Sequence, residues 1–64
     1  MQFHIENMTC GGCVRGVTRA IHSVDAAATV EADPPARALT VQSGKPGAEF
    51  LSALAAAGFD AKLQ

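Results

Sequence analysis

Tryptophan and tyrosine are missing from this 64-residue chain, and phenylalanine occurs only three times. A base-stacking platform for single-stranded nucleic acid needs a run of aromatic faces, so that class of function is set aside. Basic charge is in no excess either. Five Lys and Arg against six Asp and Glu leave a formal net charge of −1, which gives no electrostatic footprint for a nucleic-acid partner. Long apolar runs are lacking: the longest strictly apolar stretch is the alanine-rich segment 53–57, far too short to span a bilayer. The opening "MQFHIEN" has neither the basic nor the apolar region of a secretory signal. These absences lead to the expectation of a cytoplasmic protein with no membrane insertion.

Bulk is scarce as well. A chain this short buries only about 60% of the surface it exposes when unfolded, and it is expected to form one domain, residues 1–64. The hydrophobic fraction of 48% is inflated by alanine. The larger core candidates are Phe3, Ile5, Met8, Val14, Val17, Ile21, Val24, Val30, Leu39, Val41, Phe50, Leu51, Leu54, Phe59 and Leu63. No deep substrate cleft can be carved from so little material, so no enzyme is expected.

What is present has a clear order. "QFHIE" alternates, with Phe3 and Ile5 on one face, as a half-buried strand does. From Cys13 the period becomes helical through Val14, Val17, Ile21 and Val24, with Arg15 and Arg19 on the far side. "TVEAD" and "ALTVQ" read as strands flanking "PPAR", whose prolines stop any helix and turn the chain. "SGKPGAEF" opens a second helix, with Pro46 suited to its first turn, Glu49 to its positive end, and Gly58 to its termination. "FDAKL" closes as a last strand, with Phe59, Ala61 and Leu63 on one face. Strand, helix, strand, strand, helix, strand is the ferredoxin-like βαββαβ order of an α+β protein. Both helices must bury an apolar stripe, so they are expected on one face of a four-stranded antiparallel sheet.

Cysteine is rare, and its placement is the informative feature. Cys10 and Cys13 are the only two, separated by two glycines in "NMTCGGCVRG", at an exposed edge where the first strand hands over to the first helix. In a reducing compartment such a pair points to metal or redox work rather than a structural staple. Unpaired N–H groups and the positive end of the helix dipole favour a thiolate at Cys13, with Arg15 helping. The glycines let the loop turn both sulfurs toward one point. Soft thiolates suit Cu(I) and other thiophilic ions.

A closed zinc site normally takes four protein ligands, and an iron–sulfur cluster four cysteines. His4 and His22 read as solvated surface residues; His22 lies roughly 13 Å along the helix from Cys13. Two-coordinate Cu(I) fits the ligand count. The rival is a thiol–disulfide redox protein, since CxxC at a helix start is also the thioredoxin-like arrangement.

"MTCGGCVRGVTRAI" resembles the metal-binding signature of the heavy-metal-associated domain family, and "LAAAGFDAKL" is similar to the closing segment of that family. The resemblance covers essentially the whole chain. It implies a βαββαβ fold with Cys10 and Cys13 as metal ligands. Within the family it is nearest to the bacterial copper chaperones of copper homeostasis. The implied function is a Cu(I) metallochaperone that passes its ion to the metal-binding domain of a heavy-metal P-type ATPase. It would be a monomer without metal, which a shared ion could bridge into a dimer. A detached ATPase-type or regulatory domain for Hg, Zn or Cd stands as the alternative.

Several residues depart from the family pattern or bear on selectivity. Asn7 stands where Gly is frequent, and it tolerates a left-handed backbone better than most residues. Ala26 and Ala27 replace a common Gly-Val pair and are expected to thin the core near the second strand. Phe59 stands where bacterial chaperones often carry Tyr and ATPase domains Phe. Met8 reads as a flexible core plug rather than a ligand. Thr9 is neutral where zinc-selective relatives tend to have Asp, which favours a monovalent soft ion. Arg15 and Arg19 read as a solvated face.

Overall fold

The alternating opening segment forms strand β1, Gln2–Ile5, with Phe3 and Ile5 completely buried and Gln2 and His4 on the other face. The computed structural model describes residues 1–9 and 11–64 of the chain. Helix α1 runs Gly11–Val24, followed by β2 at Thr29–Asp33, a 3₁₀ turn at Pro34–Ala36 and β3 at Ala38–Gln42. Helix α2 spans Gly47–Ala56 and β4 spans Ala61–Leu63. The sheet order is β2-β3-β1-β4, with every neighbouring pair antiparallel. This is the ferredoxin-like βαββαβ arrangement, as expected.

The periodicities explain the core. Phe3 and Ile5 of β1 and Leu39 and Val41 of β3 point to one face of the sheet, where they meet Val17, Ala20 and Ile21 of α1 and Phe50 and Leu54 of α2. Phe3 and Phe50 pack edge to face, with ring centroids 6.3 Å apart and planes at 71°. Such a pair contributes about 0.5–1.5 kcal/mol beyond its buried area. Both rings are fully buried, and losing a buried Phe typically costs about 3–5 kcal/mol. A domain of this size depends on them.

Several boundaries differ from the sequence reading. Helix α1 begins at Gly11, two residues before Cys13. The prolines of "PPAR" form a 3₁₀ turn, closed by Arg37 in the left-handed region at φ 54°, with its N–H donating to the Pro34 carbonyl at 3.0 Å. Pro46 is the residue preceding α2, at ψ 143°, and not in its first turn. Phe59 lies outside β4. Leu63 is 48% exposed, because β4 is a three-residue edge strand. Its side chain covers Gly47 at the start of α2, where an added Cβ would meet it at 2.9 Å. Ala26 and Ala27 occupy an exposed turn, and the buried alanine there is Ala28. The core is therefore not thinned by the pair. Val14, Val24, Val30 and Leu51 are half-buried at its margin.

Candidate metal centre

The antiparallel register brings three connections together at one end of the sheet. Ile5 pairs with Ala61 and His4 with Ala38, so the loop after β1, the 3₁₀ turn before β3 and the loop before β4 lie side by side. Cys13 stands at this end as the third residue of α1. It is half-buried and packs against the hydrophobic core, rather than standing out on an exposed edge. Cys10 lies outside the described residues.

The neighbours of the cysteine segment are tightly fixed. Met8 is fully buried in the core, which agrees with its reading as a plug. Its N–H donates to the Ile5 carbonyl at 3.2 Å, closing a turn after β1. Thr9 is exposed. Asn7 does not use a left-handed backbone, since Arg37 is the only non-glycine with positive φ among the described residues. Its side chain does the work instead: Nδ2 donates to the Gly58 carbonyl at 3.0 Å, and Oδ1 accepts from the Asp60 N–H at 3.3 Å.

Phe59 sits between those two contacts. Helix α2 ends with Gly58 at φ 91°, a conformation glycine adopts without steric cost. The Gly58 N–H donates to Ala55 at 3.0 Å and the Phe59 N–H to Leu54 at 2.8 Å. This is the Schellman ending of a helix. It directs the half-buried Phe59 ring onto α1 at Gly16, where an added Cβ would stand 3.2 Å from the ring tip. Gly16 is one helical turn beyond Cys13, so the ring lies beside the cysteine-bearing turn.

Neither histidine is a bare surface group. His4 Nε2 and Glu6 Oε2 are 2.7 Å apart, and Arg37 Nη1 donates to Glu6 Oε1 at 2.7 Å. The His4 hydrogen bond, with the Arg37 guanidinium beside it, holds the Glu6 carboxyl below its ordinary range. His22 makes a 3.0 Å hydrogen bond to the Ala28 carbonyl at the other end of α1. Among the described residues, no three His, Cys, Asp or Glu side chains are gathered to hold an ion. Arg15 and Arg19 are exposed, as a solvated face should be. No helix of the described residues is long and apolar enough to cross a membrane.

The model of the heavy-metal-associated domain matches residues 2–60. The chain belongs to the heavy-metal-associated domain family. No curated protein matches it. Among solved structures, one described as a gold binding protein shares 42% identity at a TM-score of 0.95, over 100% of this chain and 98% of that one. The copper chaperone Atx1 from Synechocystis PCC6803 shares 29% identity at a TM-score of 0.93, over 97% and 98% of the two chains. A cyanobacterial copper metallochaperone, ScAtx1, matches at 29% identity and a TM-score of 0.79, over 97% of each.

The carboxamide of Asn7 is the site-end feature that sequence reasoning missed. Its partners are 51 and 53 residues away, beyond the reach of any local pattern. Gly16 was equally silent, because a glycine inside a helix shows its purpose only when the ring above it is known.

Proposed function

We propose that this protein is a Cu(I) metallochaperone that carries the ion on Cys10 and Cys13 and hands it to a similar domain on a copper-transporting P-type ATPase. The observation that carries this reading is the CxxC pair of the sequence, whose Cys13 is the third residue of α1, in a chain of the heavy-metal-associated family. Two cysteine sulfurs, with no hard ligands gathered among the described residues, favour a soft monovalent ion with low coordination number. Hand-off is a ligand exchange without redox change. An incoming partner thiol gives up its proton and binds Cu(I) as a third thiolate. One of the original sulfurs then leaves and takes up a proton. Repeating the step moves the ion across without free copper.

A second ion is favoured by the likeness to a gold binding protein at 42% identity. Au(I) has the same preference for two soft sulfur ligands, so both ions suit one site. The deciding experiment is a chelator competition of the reduced protein with Cu(I), Au(I) and Zn(II). The reading expects Cu(I) to be held tightly and Zn(II) weakly. Zn(II) held more tightly than Cu(I) would overturn it, and tight Au(I) with weak Cu(I) would transfer the function to gold. Loss of metal binding on oxidation to the disulfide is also expected, since only the dithiol form should act.

A further inference from the structure

We infer that Asn7 is a positioning residue for the metal site, acting through the turn that carries Phe59. This inference rests on the two-thiolate reading above, and it concerns how this chain holds its sulfurs in place.

Asn7 precedes the buried Met8 and lies three residues before Cys10, so it belongs to the segment that leads into the metal loop. Its carboxamide both donates to Gly58 and accepts from Asp60. Those two residues flank Phe59 on either side. From below, the same turn is held by the Gly58 and Phe59 N–H groups bonded back to α2. Phe59 is thus fixed from both sides, and its ring reaches α1 at Gly16 with almost no space to spare. This chain of contacts ties Asn7, in the segment before Cys10 in sequence, to the ring that lies on α1 one turn beyond Cys13.

Only an amide makes this link. A carboxylate cannot donate to the Gly58 carbonyl, a glycine offers no side chain, and Ser is too short to bracket two backbone groups. The amide is also neutral, so it adds no negative charge beside a pair of thiolates. Ligand-orienting contacts outside the ligand set itself commonly change metal affinity 10–100-fold, and an indirect link of this kind belongs at the low end of that range.

The test uses the full chain, reduced, with Cu(I) as the probe. Asn7→Ala and Asn7→Gly are compared with wild type by amide hydrogen exchange at Asp60 and by Cu(I) competition against a chelator. Both variants are expected to lose protection at Asp60 and to bind Cu(I) about tenfold more weakly. Asn7→Asp, which keeps the acceptor for the Asp60 N–H but loses the donor to Gly58, should retain part of the Asp60 protection and still bind Cu(I) more weakly than wild type. In a Phe59→Ala background, Asn7→Ala should cause little further loss, because coupled residues are non-additive. Unchanged Cu(I) affinity with Asp60 protection lost overturns the inference. So does unchanged protection at Asp60, or fully additive losses with Phe59→Ala. Absence of Cu(I) binding by the wild type is a different result: it strikes the proposed function, while the exchange at Asp60 still reports the clamp.

Discussion

At the end of the sheet where β1 stops, Asn7 reaches from one connection to the backbone of another. At the opposite end, where β3 stops, the Ser43 hydroxyl donates to Asp25 Oδ2 at 2.5 Å, and the Ala27 N–H donates to Asp25 Oδ1 at 3.0 Å. Each end therefore has a short polar side chain linking the loop after a strand to the loop after a helix. The two links differ in charge. The far end uses a carboxylate, held below its ordinary range by the Ser43 hydroxyl and the Ala27 N–H. At the end bearing Cys13 the link to the loop after α2 is a neutral amide, while the Glu6 carboxylate there is tied to Arg37. A fold with internal two-part symmetry can close both ends by one device, with an uncharged side chain at the end that bears Cys13.

That contrast predicts a division of effects. The largest is expected for Cys10→Ser and Cys13→Ser. Either change should weaken Cu(I) by more than the roughly 100-fold upper range of outer-shell losses, measured by chelator competition. Because Cys13 packs against the core, its replacement should also lower the denaturation midpoint modestly, and a wild-type Cu(I) affinity in either variant would refute the pair as ligands. Next comes Ser43→Ala at the far end. It removes the main bond to Asp25 and should lower the urea midpoint while leaving Cu(I) affinity at the wild-type value. A parallel drop in affinity would mean the two ends are not separable.

Gly16→Ala probes the contact between the ends' shared helix and Phe59. Replacing a helical glycine by alanine is worth about 0.5–1 kcal/mol, but the Phe59 ring must give by a few tenths of an ångström. Because the ring is held from both sides, that gain is expected to be reduced or cancelled, and the ring resonances of Phe59 should be displaced in proton NMR. Unmoved resonances would place the ring elsewhere.

The smallest effect is that of acid. Glu6 and Asp25 both titrate below their ordinary values of 4.5 and 3.8. Their contribution to stability is therefore complete above those values and is lost as pH falls through the lowered folded ones. Thermal midpoints should fall below pH 4.5, and less steeply in Ser43→Ala, where Asp25 has lost its first partner. An identical acid slope in both proteins would show that the Asp25 link contributes nothing.

The fold was largely legible because it rests on local periodicity. Phe3 and Ile5 alternate, Val17 and Ile21 recur at helical spacing, and Gly58 stops α2 by a conformation its residue type announces. Leu63 misled because alternation says which face a residue takes, and not whether an edge strand is covered there. The start of α1 was misplaced because glycines at 11 and 12 carry no helical signal of their own. For the site, the CxxC stood out as a candidate from spacing alone, and Met8 as core from its size and polarizability. Asn7, Ser43 and the Arg37 partner of Glu6 were hidden, since each contact joins segments that only the tertiary fold brings together, whereas the partners of His4 and His22 are two and six residues away.

In the proposed site two sulfurs and nothing else hold the ion. X-ray absorption at the copper edge of the reduced protein, loaded with one equivalent of Cu(I) at concentrations where it is monomeric, addresses it most directly. The account predicts a copper shell of two sulfur neighbours with no nitrogen or oxygen. A histidine nitrogen in that shell, or a closed four-ligand environment, would contradict it.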